Sequence, residues 1–380
     1  MSITGNASRS RLQQGFSLIE LLVALAMGLA VLVGLSSVYV AVKQSFRFAE
    51  TSGRLLEDGT FALDMIARDL RMAGYAGCPG ITNFFPGSVM ASTDGPEVTR
   101  QPFTPNNFIR GFFDEVPEDM VEPEKNPTPV VNADSLFFAG GSSKAVAVSA
   151  RMDTTTSTLT LAGDPYGWAV PAGSAANVYD MIVSSCSSSS IFKGKVTVND
   201  SGVVSIDHSR ARGNTQDTFE PAPLFGTDAI VMPAEWSFYY VATLEGARTP
   251  SLFRVFYNGN TRSKPEVIIS NIESLKLQYG ENTNDARPFV VNEWRTCSVV
   301  PAGPAGPAPT SCPVLNWSRV VAVRIGLMLV SSEDNANPGV TLPSPTLLGK
   351  RYEPPIGTSA NRLRKEFSTT VVLRNRVASR

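Results

Sequence analysis

A run of apolar residues near the start of the chain restricts its fold more than any other feature. From Phe16 to Val42 there are 27 residues, and Glu20 is the only charged side chain among them. As an α-helix this run would be about 40 Å long, which exceeds the roughly 30 Å thickness of a membrane's hydrocarbon core. We therefore predict a transmembrane segment at 16–42. Arg9 and Arg11 precede it, which keeps the N-terminus in the cytoplasm and exports the rest.

Glu20 requires its own explanation. An isolated carboxylate in a spanning segment costs roughly 2.5 to 3.5 kcal/mol on insertion scales, so it needs a partner or a function. An alternative to a retained span is an ordinary secretory signal that is cut after Ala24-Leu25-Ala26. The apolar run continues for another 16 residues beyond Ala26, and an ordinary signal gains nothing from Glu20. We therefore expect the segment to be retained.

Residues 43–77 are expected to continue the same helix as an amphipathic segment outside the membrane. Apolar and small residues recur there at alternating spacings of three and four, namely Leu56, Gly59, Leu63, Ile66, Leu70 and Ala73. Gly74, Gly77 and Pro79 end the helical pattern. The sequence thus predicts one helix of roughly 55 to 60 residues, whose second half packs against a folded head.

The remaining residues, 78–380, are predicted to form a β-rich globular head with long loops at 79–132 and 298–311. The clearest hairpin joins Phe192–Val198 to Val203–Ile206 through a turn that ends in Gly202. Further predicted strands are Ser135–Phe138, Ala145–Ala150, Ser157–Leu161, Ala229–Met232, Trp236–Ala242, Leu252–Tyr257, Val267–Ile269, Ser274–Gln278, Val320–Val330 and Phe367–Leu373. The predicted fold class is therefore α+β, with a long N-terminal helix packed on a mostly antiparallel sheet.

The four cysteines are Cys78, Cys186, Cys297 and Cys312. In an exported chain an even number of cysteines predicts disulfides, and these irregular spacings make a poor zinc site. Three pairings are possible. We favour Cys297 with Cys312, because the short Pro/Gly loop between them can close locally, and this leaves Cys78 with Cys186.

The sequence carries no recognisable catalytic, metal or cofactor motif. The one histidine, His208, follows a predicted hairpin strand without a G-x-S-x-G motif, and we interpret it as a surface residue at a strand end. The oxygen-rich segment 333–339 lacks the EF-hand spacing and is interpreted as a polar turn. A net charge of -1 provides no basic field for nucleic acid. We therefore expect neither an enzyme nor a cofactor, a metal site or a nucleic-acid partner.

The segment Gly15–Leu22, which reads G-F-S-L-I-E-L-L, resembles the class III signal of type IV prepilins. This resemblance implies that a prepilin peptidase cleaves between Gly15 and Phe16, so that residues 1–15 are a removed leader, and that Phe16 is N-methylated. It also implies that Glu20 pairs with the terminal amine of Phe16, in its own chain or in a neighbour. Pairing with a neighbour would set the register of subunits during assembly.

Four more distant stretches are similar to the PilW family of minor pilins, namely 68–78, 272–280, 321–327 and 371–376. This resemblance implies a type IV pilin-like fold and a minor pilin that primes pilus assembly and sits at the pilus tip, supporting twitching motility and adhesion. Its partners would be other minor pilins, the major pilin, a PilY-type tip adhesin and the prepilin peptidase. It would cross the inner membrane once with a periplasmic head, and would enter the pilus fibre or its tip after assembly.

Two alternatives remain open. A minor pseudopilin of a type II secretion system would share the same N-terminal signal. A membrane-anchored periplasmic enzyme or binding protein would use the apolar segment only for export and anchoring.

Overall fold

The structure is a computed structural model of the 380-residue chain. It describes residues 17–78, 84–85, 108–117, 120–121, 127–130, 132–153, 155–175, 177–219, 224–284, 290–297, 316–333, 345–355, 359 and 361–376. The chain divides between Gly53 and Arg54 into two compact units. The first unit contains the N-terminal part of one long helix, and the second contains the end of that helix and all the strands.

Helix α1 runs from Leu18 to Leu70, a length of 53 residues. In the second unit it buries one face, made of Leu55, Gly59, Ala62, Leu63, Ile66, Ala67 and Leu70. The predicted stripe is wrong at Leu56, whose side chain is 49% exposed. Leu55 takes that place because it lies four residues before Gly59 and eight before Leu63, on the same side of the helix.

Nineteen strands follow among the described residues, and they form three sheets. The strands are β1 Phe84–Phe85, β2 Ile109–Phe112, β3 Thr128–Pro129, β4 Ser135–Gly141, β5 Val146–Ala147, β6 Thr158–Leu161, β7 Val170–Pro171, β8 Val178–Ser184, β9 Ser189–Val198, β10 Val204–Asp207, β11 Ile230–Thr243, β12 Ser251–Tyr257, β13 Glu266–Ser270, β14 Ile272–Glu281, β15 Glu293–Arg295, β16 Val320–Val330, β17 Thr346–Leu347, β18 Lys350–Arg351 and β19 Arg364–Val372. The pairing is antiparallel except where β1 and β7 meet β9. The α+β prediction is confirmed.

The larger sheet follows the order β13-β12-β11-β8-β9-β10-β6, with short strands paired beside this path. A second sheet has the order β15-β14-β16-β19, and β17 pairs with β18 in a two-stranded hairpin. The predicted hairpin of β9 and β10 is confirmed, and Gly202 in its turn has a φ of +78°, which favours glycine.

Strand β11 is continuous, although the sequence predicts two strands separated near Pro233. Its first residues pair with β8, and its later residues pair with β4 and β12. Pro233 lies where these partners change, and its carbonyl accepts a hydrogen bond of 2.8 Å from the backbone N–H of Ser142. A proline is tolerated in a strand where its missing N–H leaves no ladder bond unmade.

The region 79–132 is not only a loop, which corrects the prediction. Strand β2 lies within it and pairs with β4, and Phe108, Ile109 and Phe112 are buried. Strand β8 is a second element that the sequence analysis did not predict. Residues 298–311, the other predicted loop, lie outside the described residues.

The core beneath the four-stranded sheet positions the end of α1. One apolar cluster joins α1 to β14, β16 and β19 through Ile66, Leu277, Ile325 and Val371. The ring of Phe367 lies against Gly59, where a larger residue would collide with it. Two further apolar clusters lie along the larger sheet. The last part of α1 is therefore a core element of the head.

Candidate functional site

The first candidate site is the surface of α1 in the first unit. Every residue from Leu18 to Glu50 is exposed. Within the part of the chain that the structure describes, α1 is the one helix long and apolar enough to cross a membrane, judged by length and composition. A surface of this size made of Leu, Val, Ile, Met and Phe needs lipid or other helices to cover it.

Glu20 lies in the first turn of α1, where its backbone N–H donates to the carbonyl of Ser17 at 3.0 Å. A carboxylate in the first turn is favoured by the helix dipole, by about 0.3 to 1 kcal/mol. Its side chain is exposed in an otherwise apolar stretch. Gly15 and Phe16, the predicted cleavage and methylation site, lie outside the described residues.

The second candidate site, which we call the junction, consists of residues 69–78 at the end of α1. Asp69 accepts hydrogen bonds from the hydroxyl of Tyr239 at 2.7 Å and from the guanidinium of Arg254 at 3.0 Å. Arg254 also lies 4.7 Å from the ring centroid of Phe256. Burial, together with the Asp69 carboxylate, raises the pKa of Tyr239, so this phenol stays protonated and donates. The last turn of α1 is thereby bonded to β11 and β12.

Asn375, which follows β19, also bonds to the junction. The side-chain amide of Asn375 donates to the carbonyl of Arg71 at 2.8 Å and to that of Ala73 at 3.4 Å. The N–H of Gly74 donates to the carbonyl of Ala139 at 2.8 Å. Carbonyls at the end of a helix lack partners within the helix, so Asn375 supplies a hydrogen bond that they need.

A disulfide completes the junction. Cys78 is bonded to Cys186, with a Cα–Cα distance of 4.7 Å, so the predicted pairing is confirmed. Cys186 lies in the turn between β8 and β9, inside the serine-rich stretch 184–190. Most of these serines are buried, and the hydroxyl of Ser189 donates to the carbonyl of Ala76 at 2.8 Å. Cys297 is also disulfide-bonded, and Cys312, its predicted partner, lies outside the described residues.

His208 is fully buried, so its interpretation as a surface residue is wrong. It follows strand β10 beside an apolar cluster that contains Phe192 and Phe219, and its imidazole lies against both rings, at 5.9 and 4.6 Å between centroids. Among the described residues neither ring nitrogen has a hydrogen-bond partner, and burial lowers the pKa of the imidazole to about 4. A neutral imidazole packed against phenylalanine rings has the environment of a core side chain.

A cavity of about 290 Å³ lies between β14 and the hairpin of β17 and β18. Lys276 lines it and binds both Asp114 and Asp134. Asp134 also accepts the N–H of Leu277 at 3.0 Å, and burial raises its pKa. These charges satisfy one another and bind β14 to the segment before β4. Across the described ranges, no group of three or more His, Cys, Asp or Glu residues could hold a metal ion.

Two family models match parts of this chain. The prokaryotic N-terminal methylation motif matches residues 10–36, and the family described as type IV pilus-assembly protein W, PilW, matches residues 238–375. No curated protein matches. Among solved structures, a type IV-like pilin from Thermus thermophilus matches with 14% identity over 53% of this chain and 87% of that chain, at a TM-score of 0.21. That structural similarity is too low to support an argument.

The match to the methylation motif covers the first part of α1, including Glu20. The match over 238–375 contains the whole four-stranded sheet and Asn375. The chain is therefore similar to type IV pilus-assembly protein W over residues 238–375 and to the prokaryotic N-terminal methylation motif over residues 10–36. Asp69, Asn375 and Glu273 lie in the stretches that resemble PilW sequences, but sequence reasoning assigned no role to them, because their partners are far away along the chain.

Proposed function

We propose that this protein is a minor pilin that primes type IV pilus assembly at the inner membrane and then stays at the pilus tip, where it supports twitching motility and adhesion. The observation that carries the proposal is the presence, in one chain, of the methylation motif at 10–36 and the PilW match at 238–375. The exposed apolar surface of α1 supports it, because such a surface is suited to packing against other pilin helices in a bilayer.

In this proposal a prepilin peptidase cleaves between Gly15 and Phe16, and Phe16 is N-methylated. Glu20 then neutralises the terminal amine of a neighbouring subunit. An unpaired carboxylate in the membrane costs roughly 2.5 to 3.5 kcal/mol, so helices that align Glu20 with that amine are favoured over helices in other registers. The head, held by the junction, would contact other minor pilins, the major pilin and a tip adhesin.

Replacing Glu20 by alanine tests the assembly role. We expect Glu20→Ala to remain in the membrane at the wild-type level, yet to abolish surface pili and twitching in a strain that depends on this protein. Glu57→Ala is the matched control, since Glu57 is an exposed acid further along the same helix and should be neutral. Normal pili, twitching and co-purification with other minor pilins in Glu20→Ala would refute the role.

Processing is tested separately by the intact mass of the membrane-extracted protein. We expect a chain that begins at Phe16, with one methyl group and two disulfides. Gly15→Ala should leave the precursor uncleaved, and normal processing of that variant would contradict the peptidase assignment. A deletion strain that loses protein secretion but keeps its pili would replace this proposal by the pseudopilin alternative.

A further inference from the structure

The cavity between β14 and the hairpin of β17 and β18 has no part in the junction, and it is large enough to hold a small ligand. Its volume is about 290 Å³, and it is partly open to solvent. A cavity of about 150 Å³ holds a benzene molecule, and sites for drug-sized ligands have about 300 to 1,000 Å³. The space therefore fits one substituted six-membered ring.

Backbone strain is concentrated around this cavity. Among the described residues, four residues other than glycine have a positive φ, and three of these are Asp114, Asn132 and Leu348. Asn132 and Leu348 line the cavity, and Asp114 binds Lys276 in its wall. Asparagine and aspartate adopt this conformation at small cost, but a leucine with a φ of +50° is strained. Strained residues of this kind cluster at ligand sites and other functional sites.

Contacts with the sheet hold Leu348 in this conformation. Its N–H donates to Oε1 of Glu366 on β19 at 2.8 Å. Its side chain lies over Gly326 on β16, where an added Cβ would be 2.7 Å from Cγ of Leu348. The hairpin is therefore fixed against the four-stranded sheet, and the cavity beside it has a preformed shape.

The charges around the cavity balance one another. Among the described residues, the charged side chains that line it are Lys276, Lys350, Arg351, Asp134 and Glu353. Asp114, which binds Lys276, adds a third carboxylate, so three cations stand against three carboxylates. A charged ligand would lose its hydration there without meeting an excess of opposite charge. The cavity therefore favours a neutral ligand.

The sheet side of the cavity offers hydrogen-bonding groups that no described residue uses. The side-chain carbonyl of Gln278 accepts a bond of 3.0 Å from Arg324, which leaves both N–H groups of the Gln278 amide available. The hydroxyl of Thr296 and the side-chain amide of Asn132 have no partner within the described part of the chain. A ligand can therefore find both donors and acceptors on this side.

The hairpin side is more apolar. Leu347, Leu348 and Tyr352 line it, and the hydroxyl of Tyr352 is already bonded to the buried carboxylate of Glu273. Tyr352 therefore has no hydroxyl proton left for a ligand, but its ring can pack against C–H groups. A ligand for this cavity needs polar groups along one edge and an apolar face.

A sugar ring has both properties. Its hydroxyl groups donate and accept hydrogen bonds, so they can pair with the amides and with Thr296, and its C–H groups form an apolar face. We propose that this cavity binds one pyranose ring of a neutral sugar. The open side of the cavity leaves room for a glycosidic bond to the rest of a glycan. This site goes beyond the proposed function, and either proposal can fail without the other.

Sugar binding is tested with the full-length protein in a detergent that has no sugar headgroup. The probes are glucose, galactose, mannose and N-acetylglucosamine, each as the free sugar and as its methyl glycosides, titrated by saturation-transfer NMR. We expect saturable binding of at least one of these sugars, with slower amide hydrogen exchange in β17 and β18. Glycosides that bind as well as the free sugar would identify the end of a glycan as the source, and binding of the free sugar alone would identify a monosaccharide.

Two further probes test the class of ligand. Adenine is a flat neutral ring without hydroxyl groups, and glucuronic acid is a sugar with a negative charge. Both should bind at least tenfold more weakly than the best neutral sugar. Tighter binding of adenine or of glucuronic acid would overturn the proposal, and so would the absence of saturable binding by every neutral sugar.

Three variants locate the binding in this cavity. Gln278→Glu keeps the acceptor for Arg324 but removes both amide donors, and Thr296→Val removes the hydroxyl at similar size. Asn132→Gly removes an amide at a φ of +66°, which glycine adopts readily, so the fold should be unchanged. Each should weaken binding at least threefold, and the three together at least tenfold.

The matched control is Thr160→Val, because Thr160 on β6 is half-buried like Thr296 but does not line the cavity. It should bind like the wild type. Wild-type affinity in the triple variant, or in Asn132→Gly with native circular dichroism, would overturn the proposal. Equal weakening by Thr160→Val would also overturn it, since the effect would then not arise in the cavity.

Discussion

The buried ion pair between Glu273 and Arg364 is the interaction whose removal we expect to weaken the head most clearly. Arg364 binds both carboxylate oxygens of Glu273, through Nε at 2.7 Å and Nη2 at 3.0 Å. The hydroxyl of Tyr352 donates to the same carboxylate at 3.2 Å. The two side chains are only 4% and 1% exposed. Glu273 lies at a register shift in β14, and Arg364 begins β19, so the pair connects two strands that flank β16.

Breaking this pair leaves one charge without its partner in the interior. Glu273→Gln keeps the size and shape of the side chain but removes the charge that compensates Arg364. We expect it to lower the free energy of unfolding by about 3 to 5 kcal/mol, the range for loss of one member of a buried pair. Replacing both residues, by Glu273→Leu with Arg364→Met, should restore much of this loss, because no buried charge then remains.

The assay is urea unfolding of the full-length protein in detergent, followed by tryptophan fluorescence. The control is Asp64→Asn, which breaks the ion pair between Asp64 and Arg68. That pair has a similar distance, 2.9 Å, but its side chains are 76% and 62% exposed, so the loss should stay below about 0.5 kcal/mol. If Glu273→Gln and Asp64→Asn lowered the free energy of unfolding by equal amounts, burial would not be what makes the first pair important.

Three further predictions concern the head. Burial lowers the pKa of His208 from 6.5 to about 4, so on acidification the unfolded chain takes up this proton before the folded chain does. The free energy of unfolding should therefore keep its full value above pH 6.5 and fall by about 3 kcal/mol towards pH 4. His208→Phe should flatten that part of the pH profile, measured by urea titration. Cys78→Ser with Cys186→Ser opens a loop of 108 residues and should lower the free energy of unfolding by about 4 to 5 kcal/mol, measured by the urea midpoint under oxidising conditions. Asn375→Ala should cost about 1 kcal/mol and speed amide exchange in the junction, whereas unchanged exchange there would contradict the capping role.

Local sequence patterns predicted those elements that are determined by residues close to one another in the sequence. The apolar run, the amphipathic period of the second half of α1 and the turn at Gly202 each follow from neighbouring residues, and each is found in the structure. Leu56 was misplaced because a spacing rule of three and four fits two neighbouring faces of a helix almost equally well. Packing against the head selects the face, and its contacts, such as that of Phe367 with Gly59, are distant in sequence.

The parts that could not be predicted depend on pairing between distant strands. Pro233 reads as a break, but a change of pairing partners makes it acceptable within β11. His208 reads as a surface residue, yet aromatic side chains from β9 and from the segment after β10 cover it. Asp69 has the appearance of a solvated helix charge, and its partners Tyr239 and Arg254 are about 170 or more residues away along the chain.

The hydrogen bonds from Asn375 to the end of α1 also limit when the head can be completed. They join residues 304 and 302 positions apart, so they can form only after β19 and the residues directly behind it have been synthesised. The carbonyls at the end of α1 must therefore wait for a residue that lies beyond the four-stranded sheet. A contact of such long range carries a large loop-closure cost, and its formation requires that β19 has been made.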